Sequence, residues 1–110
     1  MAARGGVMGI TLVRFFVRTG GSASIEDALN HVDHVAAVAG IEHVGLGTDV
    51  DLDGRDLAPP MRRYDLDGVH YPKKIFDFTE GLVRRGYTRE NIVLILGKNF
   101  QRALGEIWAA

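Results

Sequence analysis

Two short apolar runs with one amphipathic repeat between them constrain this chain more than any other feature. Val7-Met8-Gly9-Ile10-Thr11-Leu12 and Ile41 to Gly47 are rich in aliphatic and β-branched residues and show no sustained polar alternation, the pattern of strands covered on both faces. The composition would let the first strand run on through Phe16. Between the two runs, Ile25, Ala28, Leu29, Val32, Val35, Ala36 and Ala39 recur at helical spacing and end at Gly40. Ser24, followed three residues later by Asp27, matches a helix-capping box. A connection long enough to hold such a helix cannot be a hairpin, so the order strand, helix, strand predicts a parallel pair.

Two parallel strands do not make a stable sheet alone, because each leaves an edge of unpaired backbone groups. The expected fold class is therefore α/β, with consecutive βα units of a larger structure. An eight-stranded (β/α)8 barrel of the TIM type fits best, since its site is built from loops at the C-terminal ends of the strands. Taken alone, such a piece should leave Ile25, Leu29, Phe76 and Phe78 partly exposed and should associate or unfold readily.

The second run opens onto Gly45-Leu46-Gly47-Thr48-Asp49-Val50-Asp51-Leu52-Asp53-Gly54, where three carboxylates alternate after two glycines. Three readings are open. Asp49, Asp51, Asp53 and Gly54 match the first half of a calcium loop, but Pro60 stands where that loop needs a bidentate Glu. Alternatively Asp49, first after the strand, is a strand-end carboxylate that works on a water, a substrate amine or a metal. The third reading makes all of them solvated turn residues. The segment from Thr48 to His70 has no sustained period, with Pro59-Pro60, Arg62-Arg63, Asp65 and Asp67, and a loop of ~20 residues in a compact domain is usually a lid or binding loop.

His31 and His34 lie on the helix at spacing three, yet no third ligand follows at a suitable interval. They read as a packing or hydrogen-bonding flank. Tyr71-Pro72 is expected to open a second helix that buries Ile75, Phe76, Phe78, Thr79, Leu82 and Val83 and closes at Arg84-Arg85-Gly86. Thr88 caps a short helix through Leu96, and Gly97-Lys98-Asn99 interrupts it. A last helix then carries Phe100, Ala103, Leu104, Ile107 and Trp108, with Trp108 and the phenylalanines expected in the core.

The formal net charge of -1 leaves no nucleic-acid footprint, and the apolar runs fall short of a membrane span. A small-molecule ligand is the remaining class. With no cysteine, thiolate metal sites and disulfides are excluded, which suits a cytoplasmic protein.

Val7 to Thr11, Ile25 to Val35, Ala39 to Asp49, Tyr71-Pro72, Leu82 to Tyr87 and Leu96-Gly97-Lys98-Asn99-Phe100 together resemble, in order and spacing, the C-terminal part of the renal (membrane) dipeptidase family of zinc peptidases. The resemblance implies that residues 1–110 are part of one amidohydrolase-type metallodipeptidase barrel domain, its last two βα units and C-terminal helices. It implies dipeptide hydrolysis with two zinc ions, a dipeptide substrate and room for a homo-oligomer. One position carries over: Asp49 matches the family's strand-end aspartate, which assists proton transfer beside the metal-bound water. The family's zinc ligands have no counterpart in this chain, and His31, His34, His43 and His70 are not among them. Two departures stand out. Lys98 replaces a glycine common before Asn99-Phe100, and Val50 with Leu52-Asp53-Gly54 replaces a shorter pattern, implying an altered substrate preference. On this reading the 110 residues by themselves are inactive. The alternative is a non-catalytic piece or a Ca²⁺ module that uses Asp49, Asp51 and Asp53.

Overall fold

In a computed structural model of the chain, described for residues 1–49, 66–69 and 73–110, the two apolar runs form parallel neighbours. Strand β1 (Met8–Ile10) pairs with β2 (Val44–Leu46) in the register Met8 to Val44, Gly9 to Gly45 and Ile10 to Leu46. Two further bonds extend the ladder, from Gly47 N–H to the Ile10 carbonyl at 3.0 Å and from Leu12 N–H to the Thr48 carbonyl at 3.3 Å. Both strands are shorter than their sequence runs. The first does not continue through Phe16: the Thr11 hydroxyl accepts from Val13 N–H at 3.2 Å, and the chain turns into helix α1 (Arg14–Val17). Ile41–His43, expected to be extended, forms a 3-10 turn instead.

The crossover is α2 (Ile25–Ala39), which starts at the Ser24 and Asp27 capping box. Asp27 Oδ2 accepts from Ser24 N–H at 2.8 Å, meeting a donor that the helix cannot satisfy. Leu66–Val69 lies against this helix start. Asp67 N–H donates to the Ala23 carbonyl, and the Asp67 carbonyl accepts from Ile25 N–H at 2.8 Å. Leu66 and Val69 are thereby buried beside Ile25.

Helix α3 (Lys74–Arg84) follows, and Gly86 takes the left-handed conformation (φ 84°) that ends it. Helix α4 (Arg89–Val93) is capped by the Thr88 hydroxyl, which accepts from Asn91 N–H at 3.2 Å. The expected interruption at Gly97-Lys98-Asn99 is not a break. Leu94–Lys98 forms a π-helical turn, and the helix continues as α5 (Asn99–Ala109). Lys98 therefore occupies a wide helical turn, where it needs no left-handed backbone.

One core joins Ile10, Leu12 and Val44 of the strand region to Ala28, Leu29 and Val32 of α2, to Phe78 and Leu82 of α3, and to Ile92 and Ile95. Ile25, Leu29 and Phe78, expected to be partly exposed, are buried, whereas Phe76 is 73% exposed. Helix α3 thus presents a different face from the one its apolar residues suggest. Lys74, Asp77, Phe78, Gly81 and Leu82 face inward, and Ile75, Phe76 and Val83 face out. The reason lies at Gly81: a Cβ there would meet Leu29 Cδ1 at 2.5 Å, so this bare stretch of helix is where α2 fits closest. Trp108 is also outside the core, 78% exposed, with Ile107, Phe15 and Phe16 also exposed.

Candidate functional site

Asp49 stands at the C-terminal end of β2, one residue beyond the last ladder bond, with its side chain toward solvent. Its φ is +56°, and no other non-glycine among the described residues has a positive φ. An aspartate tolerates this conformation better than most side chains, because its short polar group can bond locally. The backbone immediately before it is held by β1 through Thr48 and Gly47. An exposed carboxylate on a fixed strand end can accept a proton, orient an ammonium group or bind a cation.

The same strand is held from its other side by the start of α5. Asn99 is 1% exposed, and its Nδ2 donates to the carbonyls of Ile41 and Val44, both at 2.8 Å. The Phe100 ring lies against the paired glycines of the sheet. A Cβ on Gly45 would come within 2.4 Å of its ring, and one on Gly9 within 3.3 Å. Arg102 adds bonds to the Gly5 carbonyl at 3.1 Å and the Glu42 carbonyl at 2.9 Å. Sequence reasoning missed this set. The available signal was a polar Asn and a large ring placed just after a helical irregularity, opposite glycines inside an apolar strand.

A second polar cluster joins α2 to the end of α3. Arg85 Nη1 donates to Asn30 Oδ1 at 2.9 Å and to Asp33, while its Nη2 donates to Glu26 Oε2 at 2.7 Å and to the Glu26 carbonyl at 3.0 Å. Arg84 reaches Glu26 at 2.8 Å, and the Tyr87 hydroxyl donates to Asp33 at 2.6 Å. These bonds, Arg85's first and then Arg84's, hold the Glu26 carboxyl below its ordinary pKa. Burial pushes the Tyr87 phenol up, and its bond to the Asp33 carboxylate adds to the shift. Burial alone would lower the Arg85 pKa, but the bonds to Glu26 and Asp33 outweigh it. Glu26, Asn30 and Asp33 lie along one stripe of α2, so the cluster is a clamp between helices.

The histidines do not converge. His31 Nε2 donates to the Val17 carbonyl at 2.7 Å, and His43 Nδ1 to the Gly6 carbonyl at 2.8 Å. His43 precedes β2 and Asp49 follows it, so they mark opposite ends of the strand. His34 is exposed on α2. Among the described residues, no three His, Cys, Asp or Glu side chains are placed to hold a metal ion. Asp51, Asp53 and Pro60, on which the calcium reading turns, lie outside the described residues, as do His70, Tyr71-Pro72 and most of the expected lid.

Comparison with known proteins gives a consistent picture. A family model described as membrane dipeptidase (peptidase family M19) matches residues 1–110. An uncharacterised dipeptidase of Schizosaccharomyces pombe is 36% identical over 105 residues, covering 93% of this chain and 23% of that protein. The dipeptidase aclJ of Aspergillus oryzae is 31% identical over 86 residues, and the dipeptidase tcpJ of Claviceps purpurea is 33% identical over 86. These alignments cover 78% and 77% of this chain and 18% of each relative. The chain thus spans between 18% and 23% of the length of these relatives. In structure, 99% of the chain superposes on 38% of an amidohydrolase from Pseudomonas aeruginosa, with a TM-score of 0.78 and 22% identity.

Proposed function

The chain belongs to the membrane dipeptidase family, and from that premise we propose that it forms the last two βα units and the C-terminal helices of a (β/α)8 barrel that hydrolyses dipeptides. Membership over residues 1–110 carries this reading. Two features of the fold support the barrel. Among the described residues the sheet has only β1 and β2, each with one open edge, and large apolar side chains on α1, α3 and α5 face outward. Further strands and helices would cover both.

Asp49 is the residue of this chain proposed to act in the reaction. A water adds to the scissile carbonyl, its proton passes to the Asp49 carboxylate, and the same proton is delivered to the leaving amine as the C–N bond breaks. The left-handed backbone at Asp49 turns the chain just beyond the strand, where the loops of a barrel meet the substrate. The two zinc ions implied by the family do not fit the described residues, because no three His, Asp or Glu side chains among them are placed to hold a metal ion. The ligands are proposed to lie outside this chain, whose own part is Asp49 and the loop after it.

The test is Asp49→Asn in the complete enzyme, since Asn also tolerates a positive φ and keeps the turn. Turnover of dipeptides is expected to fall by roughly a hundredfold or more, the usual worth of a positioned proton-transfer group. A variant as fast as the parent would remove Asp49 from the mechanism.

A further inference from the structure

We propose that Asn99 and Phe100 are positioning residues for Asp49, which clamp β2 from behind and so set where its strand-end carboxylate sits; this rests on the proposed function of Asp49. Phe100 covers the point where Gly9 and Gly45 are directly paired. With both Cβ atoms missing, the ring comes so close to the strand that a methyl group on Gly45 would overlap it at 2.4 Å. Asn99 works a few residues upstream. Its amide is buried and bridges the Ile41 and Val44 carbonyls, one on each side of the point where the 3-10 turn becomes strand. That bridge sets where β2 begins.

From there, backbone bonds carry the position forward. Gly45 is three residues before Thr48, whose carbonyl is tied to Leu12 N–H, and Asp49 follows directly. A strand gripped at Val44, Gly45, Gly47 and Thr48 has little freedom to shift along its axis. The left-handed turn at Asp49 is thereby presented at one place. The π-helical turn Leu94–Lys98 has a part in this. It inserts an extra residue just before Asn99, so that Ile95, Asn99 and Phe100 all reach the strand region while Arg102 reaches the Glu42 carbonyl.

A strand displaced by a fraction of an ångström would move the carboxylate without disordering the core. The experiment uses Gly45→Ala, Phe100→Leu and the two combined, with Asn99→Ala as a separate variant. Gly45→Ala drives a methyl group into the ring, and Phe100→Leu in the same chain makes room for it. Two signals are read in the complete enzyme: the ¹³C resonance of the Asp49 carboxyl and the exchange rates of the Gly47 and Leu12 amides. Gly45→Ala and Asn99→Ala are expected to move the Asp49 resonance and speed exchange at both amides, and the combined variant to return them toward the parent. If Gly45→Ala does not fold, Phe100→Leu alone decides, because it loosens the clamp without overlap and should move the same signals.

In dipeptide hydrolysis by the complete enzyme, Gly45→Ala should lower kcat by about tenfold to a hundredfold with KM within about twofold, as expected for a misplaced reacting group. A fall in kcat at nearly constant KM that follows the Asp49 resonance from variant to variant is the result that a merely structural role would not give. Asp49 signals indifferent to Gly45→Ala and Asn99→Ala, with only thermal stability reduced, would overturn the positioning role. Undiminished turnover in Asp49→Asn would instead remove Asp49 from the reaction while leaving the amide and carboxyl measurements to judge the clamp.

Discussion

Replacing Arg85 by Ala tests whether α2 and α3 are held together by polar contacts as well as by their shared core. The side chain is 20% exposed and has Asn30, Asp33, the Glu26 carboxylate and the Glu26 carbonyl as partners. Its two carboxylate partners are 45% and 46% exposed, so solvent screens each pair to at most about 1 kcal/mol. Bonds to the neutral Asn30 and the backbone carbonyl contribute about 0.5 kcal/mol apiece. The expected loss is about 2 kcal/mol, with part of it from packing of the guanidinium stem against α2. Urea unfolding at pH 7, followed by circular dichroism, would show the midpoint falling while the slope stays constant. High salt should shrink the difference, because exposed ion pairs are screened. A loss below about 0.5 kcal/mol, unchanged by salt, would refute the clamp and leave Phe78, Leu82 and Leu29 as what joins the two helices.

Acidification should weaken the same junction: the folded-state pKa of Glu26 lies below 4.5, so its contribution is present above the unfolded value and lost as pH falls through the folded one. Midpoints measured from pH 7 down to pH 3 should therefore converge for the parent and Glu26→Gln. At the alkaline end, the raised Tyr87 pKa stabilises the fold below pH 10.0 and the benefit fades as pH climbs above it, a loss that Tyr87→Phe should abolish. Phe78→Ala, which empties a fully buried position, should cost about 3 to 5 kcal/mol in the same unfolding assay. Dialysed 110-residue chain should retain far less than one zinc per molecule by mass spectrometry of the metal; stoichiometric zinc would contradict the placement of the ligands outside this chain.

Helix α2 was legible residue by residue, because everything that makes it is local: the Ser24 and Asp27 cap, the repeat from Ile25 to Ala39 and the stop at Gly40 all act within a few residues of one another. The parallel pairing of β1 with β2 followed from the length of the connection alone, and Asp49 could be singled out because a carboxylate after an apolar strand is visible in the linear order.

Other features depended on which surfaces meet. The residues of α3 offered Ile75, Phe76 and Val83 as good candidates for burial, but a helix has one rotation about its axis, and close fit at Gly81 against Leu29 turned those three outward. Ile41 to His43 has strand composition, yet Asn99 takes the Ile41 carbonyl and a 3-10 turn forms. Gly97 and Lys98 have the composition of a break, yet they widen the helix into a π turn that sets Asn99 and Phe100 against the strand. Local propensity decided where the chain could be helical or extended; the tertiary contacts decided which face was buried and where the strand ends sit, because those depend on partners up to 97 residues away along the chain.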